Sequence, residues 1–247
     1  MVKLNFDVKK HVLDNGLEVL TIKKDTQIAS INIAVKIGAL YESIDEKGIS
    51  HFVEHMMFKG TKNRTFQQLN DELENLGGEY NAYTDFSATV YSINCLEEEF
   101  ENGIELLSDM LINSSFIEAE IDKERGVILA EIRALNDNVE DFSFKRINEV
   151  AFKKSPLKYD VAGLDKNIKR FTKNDLYKFF KKYYVPNNSV ITILTSMEHE
   201  HAIKLVKKHF ETWKIGKVKL PTFAGEKNND KKIITKKDNI EWCTIIY

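Results

Sequence analysis

The chain has 247 residues, of which 43% are hydrophobic and 30% are charged, as is typical of a globular protein with a sizeable core. Lys and Arg number 36 against 38 Asp and Glu, so the formal net charge is −2, which argues against nucleic acid or an anionic membrane as a partner. No stretch is long and apolar enough to predict a membrane span.

Cysteine usage and the first residues bear on the cellular compartment. Cys95 and Cys243 are too few for a disulfide framework or a cysteine-rich zinc knot. The opening sequence MVKLNFDVKKHVLDNG has no apolar segment and no small-residue cleavage site of a secretory signal. We therefore expect reduced thiols and a cytoplasmic location.

The first part of the chain mixes strand and helix patterns. The dipeptide Asn15-Gly16 between two apolar runs is a strong hairpin signal, and apolar residues recur at helical spacing after Gly48 and again after Thr65. The predicted elements are a hairpin over 12–22, a strand over 30–35, a helix after Gly48, a helix from Thr65, and two paired strands over 79–96.

The later part is mainly helical. Ser155-Pro156 and Val185-Pro186 interrupt the helical pattern. The predicted elements are helices over 98–112, 118–152, 174–184 and 198–212, and a strand over 189–195. This order of elements predicts an α+β fold, with an antiparallel-rich sheet and helices packed on one face.

The last residues have a different composition. Gly216, Pro221 and Gly225 and the polar run after them are typical of a linker, and two apolar runs that follow resemble strands. We predict an N-terminal domain over 1–213, a linker over 214–232, and the opening strand of a truncated second domain over 233–247.

The sharpest motif is the pentapeptide HFVEH at 51–55. His51 and His55 are spaced to lie on one face of the predicted helix, and Glu54 lies on the same side. Two neutral imidazoles suit Zn²⁺, and a catalytic zinc keeps an open position for water, whose proton a nearby carboxylate can take. The alternative is a pair of ordinary histidines beside a solvated Glu.

A third ligand must come from another element. Glu124 and Glu131 in ERGVILAE share one face of a predicted helix, two turns apart, and both are candidates on this ground. The alternative for either residue alone is a solvated helix charge.

Several motifs together indicate a family. H-x-x-E-H is the inverzincin signature, and the stretch HFVEHMMFKGT closely resembles the M16 metallopeptidases, which include the mitochondrial processing peptidases and insulin-degrading enzyme. The resemblance continues through LGGEYNAYTDFSATVY, ERGVILAEI and YYVPNNSVITIL, in that order.

The resemblance implies roles for the matching residues. His51 and His55 correspond to two zinc ligands, Glu131 to the third, and Glu54 to the general base that activates the zinc-bound water. Glu124 corresponds to an acidic residue of the catalytic site that orients a ligand histidine.

The resemblance also implies how a substrate would bind. Asn81 and Ala82 correspond to an edge strand that pairs with the backbone of an extended peptide. The fold implied is a LuxS/MPP-like metallohydrolase half-domain, and full-length members carry two such halves around a closed chamber.

These correspondences give the expected function. We expect a zinc-dependent endopeptidase for unstructured peptides, with one Zn²⁺ per chain, that needs a C-terminal half-domain or a partner subunit for activity. The alternative is a non-catalytic peptide-binding or assembly subunit of a processing-peptidase-like complex.

Overall fold

The structure, a computed structural model, describes residues 6–223, 225–226 and 234. Its strands are β1 (Asp7–Val12), β2 (Glu18–Lys23), β3 (Ile28–Val35), β4 (Glu79–Thr84), β5 (Thr89–Leu96) and β6 (Ser189–Thr195). Its helices are α1 (Ile49–Met57), α2 (Phe66–Asn75), α3 (Phe100–Asn113), α4 (Glu118–Asp137), α5 (Val139–Ala151), α6 (Asp165–Ile168), α7 (Lys173–Tyr183) and α8 (His199–Phe210).

The six strands form one sheet in the order β1-β2-β6-β3-β5-β4. Every neighbouring pair is antiparallel except β2 and β6, which are parallel. Strand β6 comes late in the chain but lies between β2 and β3, so it joins the first hairpin to the rest of the sheet. The antiparallel-rich α+β prediction is confirmed.

One face of the sheet carries the core. Alternate residues of β3, β5 and β6 are buried, as the period-two geometry of strands requires. Helices α1, α3 and α8 contact these strands and β2. The large side chains at the centre of this layer are Ile31, Ile33, Phe52, Met56, Tyr91, Phe100 and Phe210. None of the described helices combines the length and hydropathy that crossing a membrane requires.

The predicted hairpin is present between β1 and β2. Gly16 has φ of +82°, a conformation that residues with a Cβ rarely adopt. The Asn15 side chain donates to the carbonyl of Phe210 at 2.8 Å, which ties the turn to the end of α8. The Asn-Gly signal therefore predicted the turn, and the structure adds that Asn15 anchors it to α8.

The prediction of one long helix over 118–152 is wrong in one respect. The chain leaves helical geometry at Asn138, where ψ is 127°, and two helices result. The Asn138 side chain accepts the N–H groups of Glu140 at 2.9 Å and Asp141 at 3.1 Å, and so caps α5. The bend allows α4 and α5 to contact each other.

The segment predicted as a linker is described over 214–223 and 225–226. Gly216 exchanges hydrogen bonds with the Asn187 side chain at 2.8 and 3.0 Å. Further along, the Glu226 carboxylate accepts the backbone N–H groups of Lys153, Lys154 and Ser155 at 2.9–3.1 Å. The strand predicted over 233–247 lies outside the described residues, apart from Ile234.

Candidate metal centre

Helix α1 carries the pentapeptide with its apolar side buried. Phe52, Val53 and Met56 contribute to the core, while His51 and His55 point away from it, with side chains 18% and 16% exposed. The helix contacts both α4 and the edge strand β4. The periodicity of α1 therefore presents the two imidazoles to the cleft between these elements.

Helix α4 brings both candidate carboxylates to α1. Glu131 Oε2 lies 3.8 Å from His51 Nε2 and 3.5 Å from His55 Nε2. Glu124 Oε2 accepts a hydrogen bond from His55 Nδ1 at 3.0 Å. The structure thus distinguishes the two candidates for the third ligand. Glu131 lies near the Nε2 atoms of both histidines. Glu124 contacts the opposite nitrogen of the His55 ring.

The donor atoms fit a tetrahedral zinc ion. The two Nε2 atoms are 3.2 Å apart, and zinc–nitrogen bonds at the tetrahedral angle place two nitrogens about 3.3 Å apart. One donor atom from each of His51, His55 and Glu131 lies within 4.8 Å of the other two. In the part of the chain that the structure describes, no other group of His, Cys, Asp or Glu could hold a metal ion in this way.

The two histidines differ in proton affinity. Burial, with repulsion from His55, lowers the pKa of His51 to about 4, so its ring is neutral at pH 7. Burial also acts to lower the pKa of His55, but the Glu124 hydrogen bond and the charges of Glu131 and Glu54 outweigh it and raise that pKa. A metal ion at His55 therefore competes with a proton.

Glu124 has a second partner. Lys59 donates to its Oε1 at 2.8 Å while His55 donates to Oε2. Burial acts to raise the pKa of Glu124, but these two hydrogen bonds outweigh it and lower the pKa. The ionised carboxylate holds the proton of His55 on Nδ1 and leaves Nε2 free to bind a metal.

Glu54 lies beside this point, held by a residue that the sequence did not single out. Thr84 Oγ1 donates to Glu54 Oε2 at 2.6 Å, and Thr84 in turn lies 3.3 Å from the hydroxyl of Thr89. Burial raises the pKa of Glu54, opposed by the Thr84 hydrogen bond and the charge of His55. A raised pKa makes the carboxylate a stronger base, as a group that takes a proton from water requires.

The position of Thr84 near the cleft could have been predicted from the strand spacing in the sequence. It ends β4 two residues after Ala82, so the two residues share one face of the strand. The motif NAYT therefore contains both a residue of the strand edge and the hydroxyl that orients Glu54.

Asn81 and Ala82 lie on β4, at the edge of the sheet. Among the described strands β4 pairs only with β5. The Ala82 N–H donates to the side chain of Asn81 at 2.8 Å. Ala82 lines the cleft beside His51 and Glu131, whereas Asn81 does not.

The cleft between α1, α4 and β4 has a volume of about 560 Å³. Half of its polar lining residues are carboxylates, and no described Lys or Arg is among the lining residues. The acidic side chains that line it are Glu54, Glu131, Asp141 and Asp160.

Two family models match the chain. Residues 18–165 match the insulinase family, peptidase family M16, and residues 170–247 match the M16 inactive domain. The second match begins within the fold described above, because β6 belongs to it and lies between β2 and β3.

Individual relatives agree with these matches. An uncharacterized zinc protease of Rickettsia bellii is 38% identical over 85% of this chain and 51% of its own length. Cytochrome b-c1 complex subunit 1 of Bos taurus is 33% identical over 80% of this chain and 41% of its own length. The crystal structure of a protease from Helicobacter pylori superposes with a TM-score of 0.83 at 28% identity, covering 88% of this chain and 53% of that one.

The chain thus spans about half the length of the relatives that it matches. The fold agrees with a half-domain of their architecture, and the matched sequence includes the helix with the two histidines. This chain therefore belongs to the M16 peptidase family.

Proposed function

We propose that the chain is the zinc-binding half of a metalloendopeptidase, with His51, His55 and Glu131 as the metal ligands. The observation that carries this proposal is the convergence of their three donor atoms at separations that suit one tetrahedral ion. When bound, zinc supplies Lewis-acid chemistry, which acidifies water and polarises a carbonyl.

The chain's own residues would carry the proton transfers. Glu54 accepts a proton from the attacking water and later returns it to the leaving amine. Thr84 holds one oxygen of Glu54 by its hydrogen bond, so the other oxygen is the one available for the proton. Glu124 holds the tautomer of His55 that presents Nε2 to the metal.

The substrate would be an extended peptide. The free edge of β4 offers backbone groups beside the cleft, and a peptide strand added there would pass His51 and Glu131. The carboxylates of the cleft favour a peptide with basic side chains. A folded domain would have to unfold locally to pair with the edge, which favours unstructured peptides.

The second half of the chamber would come from further chain or from a partner. Since the relatives are about twice as long, we expect this chain alone to position a substrate poorly, at a cost of orders of magnitude in rate.

The test is cleavage of a long unstructured peptide by zinc-loaded protein. The samples are this chain, a version extended through a second half, and both with Glu54→Gln. We expect cleavage in the extended version and its loss in Glu54→Gln, with zinc content unchanged. Glu46→Gln, at a partly exposed position in the loop before α1, is the control that should retain activity.

One result would contradict the peptidase and favour the non-catalytic subunit. It is peptide binding without cleavage in every version, together with no difference between the wild-type protein and Glu54→Gln.

A further inference from the structure

The first turn of α1 is capped by a side chain from outside the helix. Gly48, at the start of the helix, has no side chain to act as a cap. Glu42 supplies both acceptors instead: its Oε2 accepts the Gly48 N–H at 2.9 Å and its Oε1 accepts the Ser50 N–H at 2.8 Å. Each oxygen therefore satisfies a donor that a helix leaves unpaired in its first turn.

A cap at position 48 itself is sterically excluded. Gly48 has φ of +99°, and a Cβ there would lie 2.9 Å from the carbonyl oxygen of Ala162 and 3.0 Å from Gly163 Cα. The usual capping residues, Ser, Thr, Asp and Asn, all carry a Cβ. The close approach of the 162–163 backbone thus requires the cap to come from elsewhere.

Glu42 is buried for this purpose, with 4% of its surface exposed. Burial raises the pKa of Glu42, while the hydrogen bonds from Ser50 and Gly48 and the charge of Lys47 act to lower it. Lys47 is itself 1% exposed and donates to the carbonyl of Ala39. Because a buried carboxylate is costly unless it is hydrogen-bonded and compensated, this arrangement is not that of an ordinary loop acid.

The cap lies next to a metal ligand. His51 directly follows Ser50 on the first turn, whereas His55 lies one turn further into the helix. A first turn without its cap frays more readily than the turns behind it. Loss of the cap would therefore displace His51 relative to His55 and Glu131.

We propose that Glu42 is a positioning residue for the metal centre, which fixes His51 at the separation from His55 that a single ion needs. The inference rests on the proposed function, because it takes His51 and His55 as zinc ligands. Glu42 touches neither the metal nor the substrate, and acts only through the helix.

The test is the zinc affinity of the 247-residue chain, measured by competition with a chromogenic chelator, and the visible spectrum of its Co²⁺ form. The variant is Glu42→Gln, which keeps the volume but turns an NH₂ group towards one of the two N–H donors. We expect zinc affinity about tenfold weaker than in the wild type, as for other supporting contacts of metal ligands, and an altered Co²⁺ spectrum.

Two controls separate positioning from general stability. Glu46→Gln removes the same charge from a partly exposed residue of the same loop. Val206→Ala weakens the core under α8, which contacts α3 and β2. Both controls should leave zinc affinity and the Co²⁺ spectrum unchanged, although Val206→Ala lowers the melting temperature.

The inference is overturned if Glu42→Gln lowers the melting temperature but binds zinc as tightly as the wild type. If Glu42→Gln does not fold, Glu42→Asp decides in its place, because its shorter side chain keeps the charge but cannot reach both amides. Absence of zinc binding in the wild type would instead overturn the proposed function, and this inference with it.

Discussion

Two clusters of charged side chains in this fold differ in how their polar groups are paired. The arginine cluster surrounds Arg64, after α1, and consists of Arg64, Glu72, Glu105, Asp109, Thr61, Asn63 and Asn113. The metal cluster lies between α1 and α4 and consists of His51, Glu54, His55, Glu124 and Glu131. Both clusters include buried carboxylates that accept hydrogen bonds, but only in the metal cluster do two imidazole nitrogens and a carboxylate oxygen also converge on one point.

In the arginine cluster the donors are in place. Arg64 donates to Glu105 at 2.7 Å and to Asp109 at 2.8 Å. Asp109, 2% exposed, also accepts from Thr61 and Asn63 at 2.6 Å each. Such a cluster ties the loop after α1 to α3 and requires no further partner.

In the metal cluster, atoms that can bind a metal ion face one another. The Nε2 atoms of His51 and His55 lie 3.2 Å apart with a Glu131 oxygen 3.5–3.8 Å from them. Within the described residues, His51 Nδ1 is buried without a hydrogen-bond partner. The contrast teaches that a cluster whose polar groups are all paired stabilises a fold, whereas imidazole nitrogens and a carboxylate oxygen that converge on one point suit a cation.

The largest expected effect comes from removing a ligand. His51→Ala and His55→Ala should each weaken zinc binding by on the order of 10³-fold, since a three-ligand site loses one of its bonds. The metal-free protein should keep its melting temperature, because these side chains lie outside the core. Chelator competition and calorimetry measure the two quantities. Retained zinc affinity in both variants would contradict the assignment of His51 and His55 as zinc ligands.

A variant in the arginine cluster should have the opposite result, a loss of stability with unchanged zinc affinity. Asp109→Ala leaves Arg64 without its most buried partner, so the free energy of unfolding should fall by about 3 kcal/mol. Zinc affinity should not change, because no member of this cluster contacts the metal ligands. Denaturant unfolding gives the first quantity, with Glu72→Ala at the exposed side of Arg64 as the milder control. A loss of zinc affinity would show that the two clusters are coupled.

An intermediate effect is expected from Glu124→Gln. The amide accepts more weakly from His55 and leaves Lys59 without its carboxylate, so zinc affinity should fall by about 10- to 100-fold. Glu118→Gln is the matched control, because Glu118 is exposed and lies on a different face of the same helix. Equal zinc affinities of the two variants would show that Glu124 forms a structural ion pair with Lys59 but does not support metal binding by His55.

The smallest effect is a pH dependence that belongs to the arginine cluster. Burial acts to raise the pKa of Asp109, but the hydrogen bonds from Thr61 and Arg64 outweigh it and hold that pKa below its ordinary value of 3.8. The unfolded chain therefore binds the proton more tightly, so this stability is present above pH 3.8 and is lost as the pH falls through the folded pKa.

The variant that tests this is Asp109→Asn. It should flatten the acid side of the stability curve by up to about 1.4 kcal/mol per pH unit. Denaturant midpoints measured between pH 5 and pH 2.5 would reveal the change, and an unchanged acid slope would contradict it.

The sequence predicted those parts of the molecule that depend on local periodicity. His51, Glu54 and His55 follow from the spacing of one helix, and the Asn15-Gly16 turn from two residues. The position of Glu131 relative to Glu124 required the family resemblance, because both residues share one helix face, and only the packing of α4 on α1 distinguishes them.

Other features lay beyond local pattern. The break at Asn138 was readable as a capping residue followed by two acids, but the surrounding residues favour helix and concealed it. The insertion of β6 between β2 and β3 depends on contacts between residues far apart in the chain. The bond from Thr84 to Glu54 likewise exists only once β4 and α1 are packed together.

The most direct test of the central claim is the ligand set of bound zinc. X-ray absorption of the chain with one equivalent of zinc should show two imidazole nitrogens at about 2.0–2.1 Å and oxygen in the remaining positions. In His55→Ala one imidazole should disappear. A sulfur ligand, a single imidazole in the wild type, or no stoichiometric zinc would contradict the assignment of His51, His55 and Glu131.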